Sequence, residues 1–572
     1  MRIARLQVRN FRGISHLDWI PAIQPICCII GPGDTSKTTV LDAAEAVLSP
    51  RWVTFSEADF LNGNTELEIQ IEVTVAELSP SLLADNRFGL YIRGLLADGT
   101  IHDEPEDGDE PVLTIRLSVD ATMEPVWTMV CDRYPVPRTL SNRDRAMFCL
   151  VRLVGEEARH LTWAQGSMLA RMTGRADGAA QQLAAAYRSA RQNANLDSIQ
   201  ELVDTAEAAE GYARELGAYI NNGYRPDLEL GRGGFNSGSI ALHDGTVPLR
   251  LAGLGTRRLA TLAVQRSAIQ EGAIILVDEL EQGLEPHRIL GAVAQLKRSQ
   301  SEAQLQSRAV GQILMTTHSD VVISELEPGS LFVMRKLAGV GHCSLLQASV
   351  GGDLSRIMKH APRSLFGHRI LICEGATELG MMLGVRECYP PRHDEVPIEQ
   401  RGAAIIDGGG AAAPPLACAL ASLGYPVAIF RDSDRRLDAR WAAEIQRLNV
   451  SVFEYAQGLN TEQAIFQAVP DDRIDALLLV LTEFISEHSL RDQFVRGLPG
   501  IDYTTPYSDW DLIGDQDAHH RHILSEMAVS QNWIKTEIRG RAVASIINQV
   551  VDRVPDSALA QCLRGVEGWL YA

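Results

Sequence analysis

The sequence predicts an α/β protein of two or three domains, and three observations carry that expectation. The chain has 572 residues, more than one ordinary hydrophobic core can organise. Short apolar runs that end in turn or acidic residues alternate with helical patterns in both halves. "PICCII" precedes "GPGDTSKTTV", "AIILVDEL" and "QILMTTHSD" follow later, and "RILICEGATELGMM" and "PVAIFRDSDRR" lie in the second half. A hydrophobic content of 45% with 22% charged residues is that of a globular chain.

Each element follows in order. Residues 2–9 and 26–30 read as strands and 38–48 as a helix. Apolar and polar residues alternate at 67–76, 112–119 and 126–131, which predicts an antiparallel meander of half-buried strands. The stretch "ADGTIHDEPEDGDEP" is a solvated acidic loop. From about Leu161 to Leu216 the composition shifts to Ala, Gln, Arg and Glu at helical spacing, which predicts a helical insertion, with bounds expected at about 140 and 225. Strand-like runs return at 273–277, 312–316 and 330–334, and a second alternation begins near Arg369. The two halves, 1–350 and 366–572, are expected to have separate cores.

The bulk properties limit the function classes. No apolar run reaches the roughly 18 residues of a membrane span. The opening "MRIARLQVRNFRGI" lacks the apolar core of a signal peptide, so a cytoplasmic protein without membrane partners is expected. Nine scattered cysteines with no CxxC pair predict reduced thiols and no zinc site. A formal net charge of -20 opposes a general electrostatic grip on nucleic acid, though not a local basic groove.

Residues 31–40 have the layout of a phosphate-binding loop. Such a loop needs convergent backbone N–H groups, a helix N-terminus and one cation. Gly31 and Gly33 allow the turn, Lys37 supplies the charge, and the Thr38 hydroxyl can hold Mg²⁺. Ser36 stands where the motif has Gly, a replacement that brings little strain if its φ is negative. The apolar run 273–277 ends in Asp278 and Glu279, one suited to Mg²⁺ and the other to polarising water. The run 312–316 leads to His318, a candidate γ-phosphate sensor. "LAGLGTRRLATLAV" sets Gly253 and Gly255 at a helix start, a second anion-binding terminus.

The second half carries a different chemistry. Glu374 follows the run "ILIC", and Glu378 lies on the next helix. Asp432 and Asp434 follow the run "VAIF" at i, i+2, so both can face one divalent ion. A Glu after one strand with a DxD after the next can hold Mg²⁺ for phosphodiester chemistry. Solvated strand ends are the plainer reading of these residues, and Asp407 in "IIDGGG" reads as packing or turn. "HHRH" (519–522) lacks metal-site spacing and reads as a solvated helix.

With those motifs in place, the first half resembles an ABC-type ATPase head of the SMC and RecF kind. "LAGLGTRR" stands for its signature, with Ala252 in place of the usual Ser, "ILVDEL" for Walker B and "TTHSD" for the switch histidine. The second half resembles the Toprim domain. Together they resemble the overcoming-lysogenization-defect (OLD) family of ATP-dependent nucleases, to which the nuclease subunit of the Gabija anti-phage system belongs. The resemblance spans Met1 to about Arg541. It implies an ATP-binding, divalent-metal-dependent DNA endonuclease in anti-phage defence. Its ATP would be shared between two heads, so a homodimer or higher homo-oligomer follows, with residues 140–225 as a dimerising element. It leaves room for an accessory subunit such as a UvrD-like helicase. It further implies Mg²⁺, or Mn²⁺ or Ca²⁺, at Glu374, Glu378, Asp432, Asp434 and Glu462. Lys535 would stabilise charge on the scissile phosphate. Two other classes stay open: a RecF- or SMC-like repair ATPase, and a nucleotide-gated assembly protein without nuclease activity.

Overall fold

The computed structural model describes residues 1–153 and 272–572, except 22, 51–52, 85–86, 135, 306–309, 338–340, 350–351 and 511–515, together with scattered positions from 182 to 258. Three main sheets organise these residues.

The first is antiparallel, in the order Ile14–Trp19, Arg2–Phe11, Ile69–Ala76, Glu110–Val119, Arg93–Leu95, Ile101–His102, with Pro125–Val130 also paired to Glu110–Val119. The expected meander is present, and the short Ile101–His102 strand falls inside the stretch expected to be loop. Alternation sets the register: Ile69, Ile71, Val73 and Val75 are buried while Gln70 and Glu72 are partly exposed.

The second sheet has six strands, in the order Cys343–Gln347, Leu331–Lys336, Ile26–Ile30, Ile313–Thr316, Ile274–Val277, Leu150–Leu153. Every pair is parallel except Leu331–Lys336 with Cys343–Gln347. A parallel sheet is covered on both faces and therefore needs continuous apolar strands, and all of Ile26–Ile30 is buried. Leu150–Leu153 corrects the expected bounds of the insertion. That tetrapeptide is a core strand beside Ile274–Val277, and Leu140, Phe148 and Leu150 are buried with the first sheet, so 140–153 belongs to the core of the first two sheets. The rest of the expected insertion, to about 225, lies outside the described residues apart from scattered positions.

The third sheet is fully parallel, in the order Ala403–Asp407, Arg369–Cys373, Val427–Arg431, Ser451–Glu454. The second strand in sequence lies on one side of the first and the third on the other. That order creates a crevice at the carboxyl ends of the first and third strands, where ligands of open α/β sheets bind.

Period-2 alternation assigns the core layers. Cys27 and Ile29 join the antiparallel sheet and the helix Lys37–Leu48 in one cluster. Ile26, Cys28 and Ile30 face the opposite way, into a cluster that also holds Ile370, Ile372, Val427 and Ile429 of the third sheet. The expectation of separate cores is therefore overturned: one face of the second sheet and one face of the third belong to a single hydrophobic cluster, bridged by the helices Asp320–Glu325, Gly352–His360 and Ala413–Ser422. The remaining face, with Leu371, Cys373, Ala428 and Phe430, packs on helices from the C-terminal part. All nine cysteines are free thiols, and burial pushes Cys27 up to about 12. Among the described residues no helix is long and apolar enough to cross a membrane.

Candidate functional site

The phosphate loop joins the central strand Ile26–Ile30 to the helix Lys37–Leu48. That helix buries Val40, Leu41, Ala43, Ala44, Val47 and Leu48, and it stops at Ser49, just before Pro50. Gly31 has φ 143°, and a Cβ there would come within 2.8 Å of the Met334 carbonyl oxygen. A side chain would thus force the loop away from the next strand. Lys37 is buried, and its Nζ donates to the carbonyl oxygens of Gly31 (3.0 Å) and Pro32 (2.7 Å). Burial lowers its pKa, against the opposing charges of Asp34, Glu279 and Asp278.

Ser36 departs from expectation. Its φ is 73° and its ψ 27°, in the left-handed region, so the residue carries the strain that a negative φ would have avoided. A Cβ on Gly13 would meet Ser36 Oγ at 2.8 Å, so glycine lets the tip of the first hairpin approach the loop.

Asp278 closes this site, 240 residues downstream in sequence from Thr38. Thr38 Oγ1 donates to Asp278 Oδ1 at 3.2 Å, and Thr316 Oγ1 donates to the same oxygen. Arg152 lies 3.4 Å from Asp278 Oδ2 and also pairs with Asp42 and Glu45. Arg258, fully buried, donates to the main-chain oxygens of Asp278 and Glu279 at 2.8 Å each. Glu279 is exposed, with φ 46°, and its N–H donates to Thr316 Oγ1. The His318 N–H donates to Glu281 Oε1 at 2.6 Å, and its exposed ring stacks on Phe366 at 5.9 Å. Thus Lys37, Thr38, Asp278 and Glu279 converge. Gly255 instead packs on the loop after Glu279, where a Cβ would come 2.7 Å from the Gly283 carbonyl oxygen, and Gly253 has open space around it. Ala252 lies outside the described residues. The donor set of one hydroxyl, one carboxylate and one loop ammonium fits a magnesium–nucleotide complex.

The second site sits at the crevice of the third sheet. The Glu374 N–H donates to the Phe430 carbonyl oxygen at 2.8 Å, which fixes Glu374 beside the Asp432 turn. Glu378 is buried; its Oε1 accepts from Thr461 Oγ1 at 2.5 Å and its Oε2 from the Gly375 N–H at 3.1 Å. Asp432 is pushed up to about 8, first by burial, then by its hydrogen bond with Asp434 and the charges of Glu374, Asp434 and Glu378. Burial also raises Glu374, which Arg431 opposes and Glu378 and Asp434 reinforce. Glu462 is 3% exposed and raised by burial, with the Lys535 charge among the opposing causes. Asp434 and Lys535 are exposed. One oxygen each of Glu374 and Glu462 is buried with no hydrogen-bond partner. Such orphaned acceptors are what a cation satisfies. As the side chains stand, no group of three or more His, Cys, Asp or Glu among the described residues is close enough to hold an ion. Ligation therefore takes rotation of at least one carboxylate.

Asp407 behaves as a turn residue, accepting from the Gly409 N–H and pairing with Arg356. On the helix Gln516–Ser530 His519 is exposed, while His520 is partly buried against Trp510. Sequence reading missed Arg152, Arg258, Thr316, Arg431 and Thr461. Only Thr316, inside "LMTTH", carries a local signal, its hydroxyl at the end of an apolar strand.

Comparison with known proteins bears mainly on the first site. Residues 169–324 match a family model described as "AAA domain, putative AbiEii toxin, Type IV TA system", an ATPase domain that takes in Asp278, Glu279 and His318. An OLD nuclease from Thermus scotoductus is 37% identical over 75 residues, 12% of this chain. The match spans 14% of that relative's length. Similar solved structures include an SMC head bound to the C-terminal winged-helix domain of ScpA. It has 13% identity and a TM-score of 0.35, covering 61% of this chain and 99% of that one. The SMC head domain from Thermotoga maritima has 13% identity and a TM-score of 0.29, covering 61% of this chain and 100% of that one. The SMC head domain from Pyrococcus furiosus has 14% identity and a TM-score of 0.35, covering 62% of this chain and 98% of that one. The chain thus has an AAA-type ATPase segment and a short stretch similar to a nuclease.

Proposed function

We propose that this chain is an ATP-binding, divalent-metal-dependent DNA endonuclease of the OLD kind, acting in anti-phage defence. An ABC-type head over 1–350 is followed by a Toprim domain over 366–572. The observation that carries the reading is the gathering of Glu374, Asp432, Glu378 and Glu462 at one sheet crevice, with two buried acceptor oxygens unpartnered. The stretch shared with an OLD nuclease supports it.

In the head, Lys37 and Thr38 hold the nucleotide phosphates and Asp278 shares the Mg²⁺. Glu279 stands ready to accept a proton from water, and His318 senses the γ-phosphate. In the second site Glu374, Asp432 and Asp434 would hold a divalent ion once a carboxylate rotates, with Glu378 and Glu462 as further donors. A bound ion there supplies Lewis-acid charge for phosphodiester cleavage. Lys535 steadies charge on the phosphate, and exposed Arg435, Arg436 and Arg440 offer backbone contacts in a chain of net charge -20. The segment around Gly253 and Gly255 serves a second copy's nucleotide, so the working unit is at least a homodimer. Light scattering at micromolar concentration with and without nucleotide tests that, and a strictly monomeric mass rules it out.

The main test is cleavage of plasmid DNA with Mg²⁺ or Mn²⁺, with and without ATP. The wild type is expected to nick or cut, and Asp432→Ala to lose all cleavage while keeping its ATP affinity. Equal cleavage by a well-purified Asp432→Ala protein would overturn the metal assignment.

A further inference from the structure

Arg431 closes the strand Val427–Arg431 and directly precedes Asp432. The four residues before it are apolar and buried, and Arg431 continues the row at 5% exposure. A buried guanidinium is strongly unfavourable unless it is paired, so its partners define its purpose. Nη1 lies 3.0 Å from Glu454 Oε2, the register neighbour on the next strand. Nη2 donates to the Arg435 carbonyl oxygen at 2.7 Å, in the turn beyond Asp434. These two contacts pin the group from one side. Its Nε faces Glu374 Oε2 at 3.5 Å, too long for a hydrogen bond, and that oxygen is the buried acceptor left without a partner. Glu374 is thus attracted by Arg431 without being saturated by it.

We propose that Arg431 is a positioning residue: a built-in counter-cation that restrains Glu374 and competes with a divalent ion for its carboxylate. Because Glu454 and the Arg435 carbonyl hold the guanidinium, Glu374 is the partner that moves when an ion arrives. Arg431 therefore sets the ion concentration at which the site fills. This rests on the metal-binding reading above.

The test is Mn²⁺ affinity of the full chain, read by calorimetry or electron paramagnetic resonance without any cleavage assay. Arg431→Met frees Glu374 and is expected to bind Mn²⁺ about tenfold more tightly, the scale of one charge-assisted contact. Glu454→Gln loosens the opposing grip and gives Arg431 to Glu374, so it should bind Mn²⁺ roughly threefold more weakly by the same principle. Glu454 is 46% exposed in its side chain, so this variant keeps the test open if Arg431→Met fails to fold. Wild-type affinity in both variants would make Arg431 purely structural and overturn the proposal. Weaker binding by Arg431→Met would also overturn it, since Arg431 would then be a prop for the ligand. A wild type that binds no Mn²⁺ at all would remove the metal reading itself, a separate failure.

Discussion

Replacing Ser36 by Gly isolates the one departure of the phosphate loop from its motif. With φ 73° and ψ 27°, Ser36 occupies a conformation that disfavours an L side chain by about 1–2 kcal/mol. Ser36→Gly removes that strain. The added freedom of Gly in the unfolded chain returns roughly 0.5–1 kcal/mol. Ser36 makes no side-chain cap on the following helix, so little else is lost. The net expectation is a stabilisation of about 0.5–1 kcal/mol. In a chain of 572 residues that moves the unfolding temperature by no more than about 2–4 °C. ATP affinity by calorimetry is therefore the decisive assay. The loop already holds the left-handed step that Gly would adopt, so Ser36→Gly should bind ATP within about threefold of wild type. Lys37→Ala, which loses a charge-assisted contact, should weaken binding by about 1.5–3 kcal/mol. The reasoning is refuted if the wild type shows no affinity at millimolar ATP and Mg²⁺ while Ser36→Gly binds. Ser36 would then be what closes the loop.

Two further predictions concern the acidic positions. Asp432 keeps its proton up to about pH 8 in the folded chain, against about 3.9 for an ordinary Asp, so the folded state binds more protons between those values. Its contribution to stability is full at acid pH and is lost as pH rises towards 8. Since an ion takes the charged form, Mn²⁺ binding at pH 7 should release a proton and strengthen as pH rises to about 8. Calorimetry in two buffers of different ionisation heat counts that proton, and a count of zero would contradict the burial argument. Separately, Glu279→Gln should keep ATP affinity and slow hydrolysis at least tenfold, on the order of a lost general base; unchanged turnover would assign the water to another group.

What was legible in the sequence depended on how locally each feature is encoded. Ile26–Ile30, Ile274–Val277 and Ile313–Thr316 are apolar runs closed by turn or acidic residues, and a buried parallel strand needs little more. The positions of Glu374 and Asp432 were legible for the same reason, the first directly after such a run and the second one residue beyond it. Leu150–Leu153 was not. Four apolar and basic residues beside an Ala- and Arg-rich stretch look alike as strand or helix, and only pairing with Ile274–Val277 decides. Arg152 and Arg431 were hidden because their partners are tertiary: Asp278 lies 126 residues from Arg152. The handedness of Ser36 was also hidden, since a backbone angle leaves no mark on composition.

The shared core changes how the two candidate sites relate. If the halves had separate cores, the third sheet would hang from the second by its connecting segment. Instead, Ile370, Ile372, Val427 and Ile429 are buried in the same cluster as Ile26, Cys28 and Ile30. The helix Ala413–Ser422 covers them and meets the helix Gly352–His360, which in turn packs on Asp320–Glu325 beside the second sheet. Polar contacts follow the same seam. Arg363 pairs with Asp320, the Tyr425 hydroxyl donates to the Leu365 carbonyl oxygen at 2.6 Å, and Arg335 stacks on Tyr425 while donating to the Leu423 carbonyl oxygen. Apolar and polar contacts together thus tie the third sheet to the second. A substitution in this layer therefore acts on both sites. The clean probes of either one are groups at the sheet ends, Lys37 and Asp432, which stand outside that layer.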